Sequence, residues 1–185
     1  MPAITPEEAH AVLARAERLY DAGDVNRALD RLAREITARL RNRDPLVLCV
    51  MQGGLIPAGL LVPRLDFPLQ MDYIHATRYR GDTRGGTLHW IARPATALKD
   101  KVILLVDDIH DEGLTLDAIA RDCRAAGAAA VLSAVLVNKL HDRKHGLRPD
   151  FSGLDVPDRY VFGYGMDYKG YLRNAPGIYA VGDDA

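Results

Sequence analysis

Cysteine is scarce in this 185-residue chain: there are two, Cys49 and Cys123, each inside an apolar run. That excludes a disulfide scaffold or a cysteine-built metal site and leaves two core thiols. An excess of one charge is also missing. With 24 Lys+Arg against 25 Asp+Glu, a net charge of −1 and a pI near 6.6, the chain lacks the electrostatic footprint of a protein that binds nucleic acid or an anionic membrane. The uncharged stretch at 125–137 is too short and too rich in Ala and Gly to span a bilayer. The N-terminal Met-Pro-Ala-Ile-Thr-Pro-Glu-Glu has neither the basic start nor the apolar run of a secretory signal, so the expected compartment is the cytoplasm. No repeat or linker stands out. The glycine-rich loops lack the Lys-Ser/Thr of a P-loop, and no Ser-His-Asp or Cys-His arrangement is suggested.

What is present is ordinary in bulk: 48% hydrophobic and 26% charged residues read as one globular domain, residues 1–185. Thr5-Pro6-Glu7-Glu8 is a capping box with Pro at the first helical position, which predicts a helix to about Tyr20. Asp24 is placed to cap a second helix, where Val25, Ala28, Leu29, Leu32, Ile36 and Leu40 form an apolar stripe. Continuous apolar runs at 46–51, 102–106 and 130–137 read as strands buried on both faces. Helices are expected at 56–65 and 113–126, and the second run is expected to stop at Asp107-Asp108. Residues 71–80 and 86–92 alternate as an antiparallel pair, and short strands are expected near 160–162 and 178–181. Strand, helix and strand in that order imply parallel βαβ units, so the fold class is α/β with an open, mostly parallel sheet covered by helices on both faces.

Ligands bind such sheets at the carboxyl ends of the strands, and two ends here are unusual. Gln52-Gly53-Gly54 follows the first run. The pair of glycines is either a tight strand-to-helix turn or a place where backbone N–H groups approach an anion closely. The second end is Asp107-Asp108-Ile109-His110-Asp111-Glu112-Gly113-Leu114-Thr115, with four acids crowded before a helix. Capping a helix needs one acid, not four. A helix N-terminus with Gly and Thr suits an anion, and adjacent carboxylates suit a diol or a hydrated divalent cation. Together they suit a sugar phosphate. His141 and His145 have a helical zinc-site spacing, but no Glu sits between them and Gly146 and Pro149 suggest a loop. Residues 141–148 therefore read as a solvated basic segment, with Arg143 placed near the site.

The acidic segment resembles the 5-phosphoribosyl 1-diphosphate (PRPP) motif of the type I phosphoribosyltransferases, and the remaining motifs match the hypoxanthine-guanine members of that family. Met51-Gln52-Gly53-Gly54 stands at the place of the pyrophosphate loop, and Val135-Leu136-Val137-Asn138-Lys139 at the place of the purine-lysine strand. Arg148-Pro149-Asp150-Phe151-Ser152-Gly153 and Phe162-Gly163-Tyr164-Gly165-Met166-Asp167-Tyr168 match the C-terminal signature. The resemblance implies the type I phosphoribosyltransferase fold, with a core at about 45–140, a small hood from the N-terminal helices and C-terminal segment, and a flexible lid loop. It implies purine salvage with PRPP and a 6-oxopurine as substrates, Mg²⁺ as cofactor, and a homodimer or homotetramer.

Site roles also come from the resemblance. Asp107 and Asp108 would take the ribose hydroxyls, with Asp107, Asp108 and Asp167 near the metal. Asp111 would be the catalytic acid–base group. Glu112, Gly113, Leu114 and Thr115 would cradle the 5-phosphate beside Asp111, and Gln52, Gly53, Gly54 and Arg173 would hold the pyrophosphate. Lys139, Tyr160, Val161 and Asp167 would contact the purine, and Arg78-Tyr79 would belong to the lid. A Lys ammonium has only donors, so at the purine 6-position it would accept an oxo group and reject an amino group. Three positions depart from the family pattern: Gln52 replaces a basic residue, Glu112 a small hydroxyl residue, and Arg78 the Ser of a Ser-Tyr pair. A PRPP-binding regulatory protein of the same fold and a xanthine-preferring enzyme are the rival readings.

Overall fold

Runs of consecutive apolar residues become middle strands when helices cover both faces of a sheet. The computed structural model describes residues 4–78, 88–146 and 148–182. In it β2 (Pro45–Met51), β5 (Val102–His110) and β6 (Ala130–Lys139) pair in parallel at the centre of a six-stranded sheet. β3 (Gln70–Arg78) runs parallel beside β2, and β4 (Leu88–Ala92) closes that edge antiparallel. β7 (Phe151–Val156) forms the other edge, parallel to β6.

Alternate side chains of these strands enter two separate cores. Val47, Cys49, Leu104, Val106, Ala134 and Leu136 meet Leu29, Leu32 and Ile36 of α2 (Ala22–Leu40) and Leu61 of α3 (Leu55–Leu61). Leu46, Leu48, Val50, Ile103, Leu105 and Val135 meet Leu116, Ile119 and Cys123 of α4 (Leu114–Ala125). Each such buried aliphatic side chain contributes about 1.5–3 kcal/mol. Burial pushes the Cys49 and Cys123 thiols up to about 11, which keeps both in the unreactive form.

The crossover after β2 leads to β3 on one side, while the crossover after β5 leads to β6 on the other. The strand order therefore diverges between β2 and β5, and a crevice opens at their carboxyl ends. A smaller, separate antiparallel sheet is formed by β1 (Glu17–Asp21), β9 (Gly177–Ala180) and β8 (Val161–Phe162). α1 (Pro6–Arg15) contributes Val12 to its core with Phe162, Tyr168 and Ala175. No described helix is long and apolar enough to cross a membrane.

Several local expectations are corrected. The first helix ends at Arg15, because Ala16 is extended and residues 17–21 pair with β9, a partner more than 150 residues away. The cap of α2 is Asp21, and Asp24 completes the capping box as its third residue. The helix expected at 56–65 stops at Leu61 and tightens into a 3₁₀ turn, Val62–Arg64, at Pro63. β5 does not stop at the aspartates but stays paired with β6 as far as His110 and Asn138. β7 carries residues 151–153, which the sequence presents only as a signature motif.

Candidate active site

The glycines between β2 and α3 are required by space and not by unusual dihedrals. A Cβ on Gly53 would lie 1.9 Å from Asp108 Oδ2, and one on Gly54 would lie 2.5 Å from the Val106 carbonyl oxygen. Neither glycine has a positive φ, so close packing and not a left-handed backbone places them. The turn lies directly on the β5 carboxylates. Gly165, at φ 109°, packs on it in turn, and a Cβ there would lie 2.1 Å from the Gly53 carbonyl oxygen.

Asp107 and Asp108 are consecutive residues near the carboxyl end of β5. Asp107 Oδ1 accepts from the Asp108 N–H at 2.9 Å, and Asp108 Oδ1 accepts from the Ile109 N–H at 2.7 Å. Burial pushes both carboxyls up, Asp107 well above the ordinary carboxylate range because the Asp108 charge adds to the effect. Arg173 stands 4.0 Å from Asp108 Oδ2, and its own Nη2 pairs with Asp167 Oδ1 at 2.8 Å. It also donates to the Gly165 carbonyl, while Asp167 Oδ2 accepts from the Gly170 N–H at 2.7 Å. Arg173 thus joins the C-terminal signature to the β5 carboxylates.

Beyond His110 the chain turns into α4 through Gly113, whose φ of 84° favours glycine. The N-terminus of α4 has no side-chain cap, and Thr115 lies in its first turn. At the start of this loop Asp111 accepts from Lys139 Nζ on Oδ2 and from His141 Nε2 on Oδ1, both at 2.7 Å. Burial pushes the Asp111 carboxyl up, but the hydrogen bonds from Lys139 and His141, together with the Lys139 charge, outweigh it, and its pKa is lowered.

Asp142, Arg143, His145 and Gly146 are exposed, as expected of a solvated segment after β6, but His141 and Lys144 are drawn in. The His141 side chain is only 3% exposed. Lys144 Nζ donates to the His110 carbonyl at 2.8 Å and to Asn138 Oδ1 at 2.9 Å, and burial together with repulsion from Lys139 lowers its pKa. The His145 N–H donates to the Glu112 carbonyl at 2.8 Å. Gly146, at φ 77°, lies so close to α4 that a Cβ would stand 2.8 Å from the Asp117 Cβ. Arg143 turns away to a bidentate pair with Asp158 at 2.8 Å for each bond, instead of joining the site. Composition shows the charges of this segment but not the acidic loop opposite, which covers His141. Its readable clue was that His141 follows Lys139 by two positions.

Tyr160 is 47% exposed and meets Tyr168 edge-on at 5.3 Å. Val161 is buried at the start of β8. Glu112 is exposed. Arg78 ends β3, whereas Tyr79 and the glycine-rich lid segment through Gly86 lie outside the described residues. A cavity of about 450 Å³ opens on the far side of the Gln52 turn, between Leu55 and Arg173. Among the described residues no three His, Cys, Asp or Glu side chains converge to hold a metal ion.

The family described as "Phosphoribosyl transferase domain" matches residues 15–169. The chain belongs to the phosphoribosyltransferase family. It is 31% identical to the hypoxanthine-guanine phosphoribosyltransferase of Bacillus subtilis (strain 168), over 86% of this chain and 89% of that protein. It is 30% identical to the hypoxanthine-guanine-xanthine phosphoribosyltransferase of Tritrichomonas foetus, over 86% of this chain and 88% of that protein. The fold matches that of a hypoxanthine phosphoribosyltransferase from Staphylococcus aureus with a TM-score of 0.88 at 23% identity, over 98% of each chain. The type I phosphoribosyltransferase fold expected from the motifs is thereby shown.

Proposed function

We propose that this phosphoribosyltransferase transfers the 5-phosphoribosyl group from PRPP to hypoxanthine or guanine, giving IMP or GMP and pyrophosphate. One observation carries the reading: Asp111 and Lys139, from the ends of two neighbouring strands, are joined at 2.7 Å beside the Asp107-Asp108 pair and the Gly53-Gly54 turn. An acid–base group, a base-reading cation, a diol acceptor and an anion cradle thus border one crevice.

In this reading the ribose hydroxyls donate to Asp107 and Asp108, whose buried carboxylates are short of hydrogen-bond donors and positive charge. The 5-phosphate takes the uncapped start of α4, with Asp111, Glu112, Gly113, Leu114 and Thr115 around it. Gln52, Gly53, Gly54 and Arg173 hold the pyrophosphate. Purine N9 bonds to ribose C1 as the C1–oxygen bond to pyrophosphate breaks, and the electron pair leaves with the pyrophosphate. Carboxylates beneath the ring stabilise the positive charge that develops. The proton released from N7 passes to Asp111. Lys139 turns from Asp111 to the purine O6, and Tyr160 supplies a stacking face, with Val161 and Asp167 at the base edge.

Mg²⁺ fits this donor set. The carboxylates are hard oxygen donors, ionising both Asp107 and Asp108 is unfavourable without added positive charge, and a Mg²⁺ site needs only one or two protein carboxylates beside substrate oxygens and water. Asp107 and Asp108 would hold one such ion and Asp167 would stand beside a second, and there the metal would supply charge neutralisation for the leaving pyrophosphate. The enzyme would work in the cytoplasm as a homodimer or homotetramer.

The deciding experiment supplies purified protein with PRPP, Mg²⁺ and, separately, hypoxanthine, guanine, xanthine and adenine. IMP and GMP are the expected products. Product from none of the four bases refutes the reading, and turnover of adenine equal to that of hypoxanthine refutes the role of Lys139. Preference for xanthine would move the substrate to the 2-oxo purine.

A further inference from the structure

His141 is the buried side chain that this chemistry leaves unused. Its ring lies against Asp111 from the segment that follows β6, with Nε2 2.7 Å from Asp111 Oδ1. The other ring nitrogen, Nδ1, accepts the Arg143 backbone N–H at 3.0 Å. With Nδ1 engaged as an acceptor, the ring proton sits on Nε2 and is donated to the carboxylate. The ring is held from behind, because the Arg143 guanidinium is locked on Asp158 by two bonds of 2.8 Å.

Lys139 and His141 divide the two oxygens of Asp111 between them. Lys139 takes Oδ2 and His141 takes Oδ1. The two donors cannot have the same fate once substrate binds, since a lysine that reads the purine 6-position must let go of Asp111. A carboxylate at the start of a loop, 46% exposed, would then be free to rotate, and a free rotor loses the near-attack geometry that proton transfer needs. A second cation in place of the imidazole would hold the carboxylate but weaken it as a base. A neutral N–H donor holds it and leaves the charge.

We propose that His141 is a positioning residue for the transfer: it clamps Oδ1 of Asp111, so that the departure of Lys139 frees Oδ2 alone, aimed at the ring nitrogen that gives up its proton. This rests on the function proposed above. The geometry reverses the familiar arrangement in which a buried carboxylate orients a histidine. Here a buried histidine orients the carboxylate. The charged groups facing this pair are Lys139 at the same strand end, Lys144 from the same segment, Glu112 on the acidic loop, and Asp158 with its partner Arg143.

The test compares His141→Ala and His141→Gln with the wild type, each first checked for folding by circular dichroism. Removing one hydrogen bond to a charged group should lower kcat about 10–100-fold in H141A while the KM for PRPP changes little. The acid limb of the kcat–pH profile should move up by about one unit, and H141Q, which keeps a neutral N–H donor, should restore most of both. Carboxyl-carbon NMR gives a readout that does not depend on turnover: the Asp111 titration should move up in H141A and return in H141Q. If H141A folds and both the acid limb and the titration stay where they are in the wild type, the clamp is overturned. If the wild type makes no nucleotide, the proposed function fails instead, and the titration still decides whether His141 governs Asp111.

Discussion

The end of β5 holds carboxylates in two opposite electrostatic states within five residues of chain. Asp107 is half-buried and Asp108 is buried against the glycine turn, with Arg173 4.0 Å from Asp108, and both hold protons more tightly than ordinary aspartates. Asp111 is half exposed yet gripped by Lys139 and His141, and it holds its proton less tightly. The same residue type is thus prepared for different work. The buried pair waits for donors and positive charge that a substrate diol and a cation bring, while the third carboxylate is kept ionised and ready to take a proton. Environment, not identity, separates the roles.

The largest effect should come from removing the charge of the third carboxylate alone. Asp111→Asn keeps the size and one acceptor but cannot take a proton, so kcat should fall about 10²–10⁴-fold. PRPP binding, measured by calorimetry, should persist. A kcat near that of the wild type would show that the proton leaves by another route.

The buried pair should respond in the opposite sense. Because the folded-state pKa values of Asp107 and Asp108 are raised, the fold binds more protons there than the unfolded chain. That contribution lowers the stability of the ligand-free protein as pH rises from the ordinary carboxylate range through the raised values. Asp111 has the reverse sign: its lowered pKa stabilises the fold above the ordinary range, and this is lost as pH falls through the folded value. Asp107→Asn with Asp108→Asn should therefore raise the ligand-free Tm at neutral pH, by about 2–4 °C for each kcal/mol recovered. The same double variant should lose PRPP affinity by an order of magnitude or more, about 10–100-fold. A Tm that falls at neutral pH would mean that the pair stabilises the fold.

The glycine turn separates the two requirements of that site. On Gly54 an added methyl meets the backbone carbonyls of Val106 and Val50 at 2.5 and 2.6 Å, which cannot yield without moving two strands. Gly54→Ala should cost about 1–3 kcal/mol of stability, read by denaturant unfolding. On Gly53 the three atoms nearest the added methyl all belong to the Asp108 side chain. Gly53→Ala should spare stability by comparison and weaken PRPP binding by turning that carboxylate aside.

Such pairings explain how much was legible beforehand. The apolar runs at 46–51 and 102–106 named the central strands because burial on both faces leaves no other residue types possible there. The cluster from Asp107 to Thr115 was legible as a site because its acids exceed any need for capping. What stayed hidden depends on partners distant in sequence. Residues 17–21 become a strand only because β9 lies beside them. β5 runs on to His110 only because β6 continues to pair with it. His141 is buried only because the Asp111 loop faces it. A histidine in a basic segment looks solvated until the acidic loop opposite is known.

The smallest predicted effect concerns the carboxylate that neither environment claims. Glu112 is exposed, and its place is held through its backbone carbonyl by the His145 N–H at 2.8 Å. Its side chain is therefore free to point into water, and its charge acts on a phosphate at the start of α4 only through solvent. Exposed charges interact weakly and are screened within a Debye length of about 10 Å at 0.1 M salt. Glu112→Gln should improve the KM for PRPP by about two-fold at low ionic strength, and the gain should fade as salt is added. A gain of more than about ten-fold that persists in high salt would place the carboxylate inside the phosphate cradle. The contrast between a buried, a clamped and a screened carboxylate at one strand end would then have to be redrawn.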